Sequence, residues 1–149
     1  HMKTIEREMK ELIAADSNIC RNYKLLTSIK GVGPITAIVM LCSTLNFTKI
    51  TDHRKFACYC GLAPFEHSSG TSVRGGCHTS SMANRDIKVQ LNRSALIAIR
   101  CDPQLKAYYE RKVAEGKHKF SVLNAVRAKI AARCFAVVRR GTPYVALQI

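Results

Sequence analysis

Three serines stand close together in the run His67-Ser68-Ser69-Gly70-Thr71-Ser72-Val73-Arg74-Gly75. A serine hydroxyl is a poor nucleophile until its proton is taken and the charge on the group it attacks is neutralised. Gly70 lets a substrate come close to the backbone. Arg74 offers a planar fork that matches two phosphate oxygens. Arg85, Lys88 and Arg93 are the next cations, at the start of a following helix whose N-terminal dipole also favours an anion. The chemistry open to such a set is attack of a serine on a phosphate ester. By residue type alone Ser68, Ser69 and Ser72 are rivals, and His67 is a base in name only, since a loop histidine beside serines is more often a bystander.

A second constellation lies upstream. In Ile29-Lys30-Gly31-Val32-Gly33-Pro34-Ile35-Thr36-Ala37, two glycines flank a valine and a proline opens the next helix. This is the pattern of a helix-hairpin-helix turn. Gly31 and Gly33 permit a tight turn with exposed N–H groups that a phosphate can approach without meeting a Cβ. Lys30 adds a charge beside it. Such a turn reads nucleic-acid backbone rather than bases.

The elements that must position these residues follow from periodicity and caps. Ile5, Met9, Leu12, Asp16, Ile19, Tyr23 and Leu26 alternate by four and three, which predicts one helix over 4–27 with a bundle or coiled-coil seam broken once by Asp16. A helix runs from Ile35 to about Leu45. Thr51 or Asp52 caps a short one that ends at Gly61. Residues 61–82 carry the glycines and serines of a long irregular loop, the kind usually kept for function. Helices resume near Asn84, at Asp102-Pro103 and at Lys119, the last running to Arg139 before Gly141 and Pro143. The expected fold is all-α, with five to six helices, a helix-hairpin-helix motif and one long Gly/Ser-rich functional loop. The segments are a tag remnant at 1–2, the end of a linking coil at 3–27, and a domain at 28–145. That domain holds a hairpin at 29–45, the loop at 61–82 and a helical remainder at 84–140.

Charge narrows the partners. The 149 residues hold 24 Lys and Arg against 10 Asp and Glu, a formal net charge of +14. Four of the acids and only three of the bases lie in the first 16 residues, so the body of the chain is more basic still. From Lys117 onward there are seven bases and no acid, and Arg127, Lys129, Arg133, Arg139 and Arg140 give the last helix a basic face. This balance suits a nucleic acid. An anionic membrane is the weaker fit: there is no tryptophan and no apolar run near the ~20 residues that span a bilayer. Seven scattered cysteines predict free, mostly buried thiols in a reducing cytoplasm. Cys58, Cys60, Cys77 and His78 can be drawn as a zinc site, but Cys-x-Cys is not the usual knuckle spacing. Asp86, Asp102, Glu110 and Glu115 are too scattered to hold magnesium, so the chain is expected to carry no metal or cofactor of its own.

The ordered set of signals resembles the C-terminal domain of the IS-one-ten family of insertion-sequence transposases, which includes the Piv-type DNA invertases. The residues that carry it are the run 29–37, then Tyr59-Cys60-Gly61-Leu62-Ala63-Pro64, the run 67–75, Asp102-Pro103-Gln104-Leu105-Lys106-Ala107-Tyr108-Tyr109-Glu110-Arg111, and Gly141-Thr142-Pro143-Tyr144. Together they cover about residues 25–145. The resemblance implies DNA transposition or site-specific recombination. It implies a RuvC-like domain with an acidic magnesium site, joined through a coiled coil and missing from this chain, so that the chain alone would not turn over. It points to Ser69 as the nucleophile; residue type and position put Lys30, Gly31, Gly33, Arg74, Arg85, Lys88 and Arg93 on nucleic acid, with Asn84 and Arg85 kept from the relatives' pattern. DNA, a bridge RNA and further copies of the full-length protein are the implied partners. Ser80-Ser81-Met82-Ala83-Asn84-Arg85 departs from the Ser-Lys-x-Gly-Asn-Arg common in relatives, losing a lysine and a glycine. The competing reading is a non-catalytic helix-hairpin-helix module that only grips nucleic acid.

Overall fold

The computed structural model describes residues 1–62 and 84–146 in full, and between them the backbone of 64–69 and 73–79. In chain order the elements are α1 (Met2–Ala15), α2 (Ser17–Thr27), α3 (Pro34–Thr44), α4 (His53–Tyr59), β1 (Pro64–Ser69), β2 (Val73–Thr79), α5 (Arg85–Cys101), α6 (Pro103–Ala114) and α7 (Lys119–Arg140). The helical class expected from the pattern holds, with seven helices among the described residues rather than five to six. No helix among them is long and apolar enough to cross a membrane.

Most helices start where a side chain can satisfy their first amides. Asp52 accepts from the Arg54 amide, Asn84 from those of Asp86 and Ile87, and Asp102 from those of Gln104 and Leu105, with Pro103 at the first helical position. Gly141 closes α7 in the left-handed region, φ 72°. Asp16 shows why the seam over 4–27 is not one helix. Its backbone is extended and its carboxylate accepts from the Asn18 and Ile19 amides, so it ends α1 and caps α2. The two halves of the seam then part. Leu26 is buried, and Ile19 and Tyr23 pack against the core, whereas Ile5 and Leu12 on α1 are exposed.

The core forms where α7 meets α2, α4, α5 and α6. Val126, Ile130, Cys134 and Val137 of α7 are buried, as are Leu91, Ala95 and Ala98 of α5, the helix α7 packs against. Phe56 brings α4 in, its ring 5.4 Å from that of Phe135. Full burial of a side chain that size contributes about 1.5–3 kcal/mol. Cys60 and Cys134 are buried thiols, pushed up to about 11 and about 12 by burial. Cys42, Cys58 and Cys101 are exposed, so thiol burial holds for fewer cysteines than expected.

The stretch 61–82 is corrected in kind. It contains two antiparallel strands where an irregular loop was expected, pairing Pro64 with Thr79, Phe65 with His78 and Glu66 with Cys77, then Ser68 with Arg74 and Ser69 with Val73. The register slips between Glu66 and Ser68, where His67 alone stands against Gly75 and Gly76. An extra glycine on one strand is how a bulge bends a ladder and raises its twist. Glycines that read as loop markers therefore belong to a strand.

The turn from α2 to α3 is compatible with the expected hairpin motif, but its two glycines do different work. Gly31 has φ 93°, and a Cβ there would lie 2.7 Å from the Ser94 carbonyl oxygen and 2.9 Å from the Ala98 Cβ. Gly31 is thus required for packing on α5. Gly33 is extended, with nothing near its Cβ position. Gly31→Ala should lower stability by about 2–5 kcal/mol, from left-handed strain plus overpacking. Gly33→Ala should change it by less than about 1 kcal/mol. Denaturant midpoints of the two variants check this, and equal midpoints would mean the turn does not press on α5.

Candidate nucleic-acid interface

The hairpin stands on a foot built by three helices. The backbone leaves α4 through Gly61, φ 72°, and the foot's carbonyls are each held. Lys88 Nζ of α5 donates to the Gly61 carbonyl at 3.0 Å, and Asn124 Nδ2 of α7 donates to the Leu62 carbonyl at 2.9 Å. On the return side the Asn84 amide donates to the Tyr59 carbonyl at 3.1 Å. Strands β1 and β2 are therefore pinned at both ends of their excursion to the first turn of α5 and to one face of α7.

Cations crowd this foot. The Lys88 ammonium is held below its ordinary value, first by burial and then by the Arg127 guanidinium, with a smaller push from Arg85. Burial also lowers Arg127. Arg127 Nη1 donates to Asn124 Oδ1 at 3.5 Å, while its Nε is buried with no hydrogen-bond partner among the described residues. Nor does Arg127 make an ion pair among them. The unmet N–H is that of Arg127 Nε, and a phosphate oxygen is an acceptor that suits a half-buried guanidinium.

The predicted residues divide as follows. Asn84, Arg85 and Lys88 come together at the foot, although the Asn84 side-chain oxygen is already committed to capping α5. Ser69 lies at the far end of β1 with Val73 as its Cα partner, and Arg74 is the partner of Ser68, one residue away across the ladder. The side chains of Ser68, Ser69, Ser72 and Arg74 lie outside the described residues, as do those of His67, Cys77 and His78. Lys30, Gly31 and Gly33 belong to a second place. Gly31 packs on α5 at Ser94, six residues beyond Lys88, about 9 Å along the helix axis. There Gly33 caps α3 without a side chain and Pro34 has no N–H, so the turn presents bare backbone beside exposed Lys30 and Ile35. Arg93 is exposed next to Ser94.

Two features escaped the sequence reading. Asn124 joins the foot from α7 together with Arg127, which the sequence placed only on a basic helix face, and their one signal is a polar pair interrupting an apolar stripe at Val126 and Ile130. The basic face assigned to α7 is not one face. Arg133 donates to buried Asp102 at 2.7 Å and Arg127 is half-buried, leaving Lys129, Arg139 and Arg140 exposed.

Known proteins carry the same pattern. A family model described as the transposase IS116/IS110/IS902 family matches residues 23–110. An uncharacterized 43.6 kDa protein of insertion element IS110 from Streptomyces coelicolor is 39% identical over 121 residues, covering 80% of this chain and 29% of that protein. The pilin gene-inverting protein of Moraxella bovis is 23% identical over 94% of this chain and 44% of its own length. The 42 kDa protein of insertion element IS900 from Mycobacterium paratuberculosis is 28% identical over 85% of this chain and 35% of that protein. The chain thus spans less than half the length of these curated relatives. The glycine turn, α4, the hairpin, α5 and the start of α6 all fall inside the matched stretch, and the chain belongs to the transposase IS116/IS110/IS902 family.

Proposed function

We propose that this chain is the DNA-gripping and nucleophile-bearing part of a transposase or site-specific recombinase. The observation that supports it best is the hairpin rooted in a cationic foot, Lys88 and Arg127 with Arg85 beside them, and carrying Ser69 and Arg74 outward. The foot and the Gly33 turn bind DNA backbone. Ser69 Oγ attacks a DNA phosphorus, forming a phosphoserine ester as the bond to the 3′ oxygen breaks; the hydroxyl proton ends on that oxygen, leaving a free 3′-hydroxyl. The ester keeps the energy of the broken bond for rejoining. Arg74 offsets charge on the attacked phosphate. Magnesium held by a RuvC-like acidic domain elsewhere in the full-length protein would add charge neutralisation. A guide RNA, homo-oligomerisation and a cytoplasmic setting belong to the same reading. This chain alone binds DNA without turnover.

The test is to mix the full-length protein, its guide and magnesium with labelled target DNA and then denature. A protein–DNA adduct that survives denaturant is expected. DNA cut with no adduct at any time would end the covalent reading and leave a gripping module that serves a separate nuclease.

A further inference from the structure

On the side of α7 that faces α6, a groove of about 1300 Å³ runs between Tyr108, Lys129, Arg133, Arg140 and Tyr144. No acid lines it. Its aromatic rings are set against cations: Lys129 Nζ lies 4.5 Å from the Tyr108 ring centre, and the Arg133 guanidinium 4.7 Å from that of Tyr144. The walls are held from behind. Arg133 is fixed by Asp102 and Gln104, both at 2.7 Å. The Tyr144 amide donates to Ser28 Oγ at 2.8 Å, and Arg140 Nη2 donates to the Pro143 carbonyl at 3.2 Å, so the segment after α7 is tied down as a wall of the groove.

We propose that this groove holds a stretch of single-stranded DNA, a ligand distinct from the duplex backbone gripped at the hairpin foot. The inference rests on the reading of the partner as DNA and adds which form of it binds where. Half-buried tyrosine rings with cations beside them suit unpaired bases, whose faces are open to stack, while the flanking phosphates meet Lys129 and Arg140. A duplex hides those faces and would use the charges alone. The groove exceeds the roughly 300–1,000 Å³ of a small-molecule pocket, as an extended strand requires. A base that stacks on Tyr108 moves the Lys129 ammonium from the ring to the neighbouring phosphate.

The experiment titrates the chain with a fluorescent oligothymidylate, a blunt duplex and an oligouridylate over a range of salt. Tyr108→Leu and Tyr144→Leu should each weaken oligothymidylate binding roughly 5- to 150-fold and leave duplex binding within about twofold. Lys129→Gln changes an exposed side chain that the fold does not need. It should lower the salt slope for the single strand by about 0.7 and leave that for the duplex unchanged. Single-strand binding that is the same in all three variants overturns the proposal, as does a tyrosine-dependent preference for oligouridylate. If duplex binding persists in that case, only the groove is lost. If wild type binds neither DNA form, the DNA reading falls with it.

Discussion

Replacing Ser69 by alanine in the full-length protein should abolish the denaturant-resistant adduct and lower strand exchange by three or more orders of magnitude, roughly the cost of removing a nucleophile outright. DNA binding should persist, because the cations proposed to grip the backbone are on α5 and α7, beyond the strand that carries the serine. Ser68→Ala and Ser72→Ala are the controls that locate the reacting atom. Ser69 closes the ladder opposite Val73, whereas Ser68 lies directly across from Arg74. An adduct lost in Ser68→Ala but kept in Ser69→Ala would move the attack to that position. An adduct that survives all three would remove the hairpin from the chemistry. Gel analysis after denaturation reads each outcome without requiring turnover.

How much of this was legible depends on the range over which each feature is decided. Helix starts at Asp52, Asn84 and Asp102, and the stop at Gly141, were readable because a cap satisfies amides two or three residues away. The hairpin was not. Its second strand contains Gly75 and Gly76, and a strand lacking apolar alternation gives the same local signal as a loop. Asp16 was visible as a break in a seam, but which half of that seam is buried depends on packing against the rest of the fold. The turn after α3 is less legible again. Leu45, Asn46 and Phe47 all take positive φ, 47°, 55° and 61°, with no glycine to announce it. Buried Asn22 donates to Asn46 Oδ1 at 2.7 Å, and Phe47 sets its ring against Phe135 at 4.9 Å. Such strain persists only where partners far along the chain enforce it. The candidate site shows the same division. The glycine turn, the serines and the cations of α5 were found by type and spacing. Asn124 was not, and Arg127 was read only as part of a basic face on the last helix, because both reach the hairpin foot through tertiary folding.

Arg133 is where that long-range logic has its largest expected effect on stability. It reads as one more base on a basic helix, yet its guanidinium donates to Asp102, 31 positions earlier, whose side chain is 2% exposed. Burial by itself would raise the Asp102 carboxyl. The Arg133 guanidinium, with the Leu105 and Gln104 amides, outweighs burial and holds the carboxyl below its ordinary 3.8. A depressed carboxyl stabilises the fold above its unfolded value and loses that contribution as pH falls through the folded one. The pair therefore contributes fully at neutral pH and fades only below about 3.8. Arg133→Met keeps the length of the side chain and removes the charge, leaving a carboxylate buried with two amides for company. It should cost about 3–5 kcal/mol at pH 7, with the deficit narrowing as acid protonates Asp102. Asp102→Asn combined with Arg133→Met should recover most of the loss, since asparagine caps α6 as well as aspartate does and carries no charge. Denaturant midpoints across pH measure all three. A single-variant loss under about 1 kcal/mol would mean the pair behaves as a surface contact, and α6 would then be held to α7 by Leu105 and the rest of the apolar seam alone.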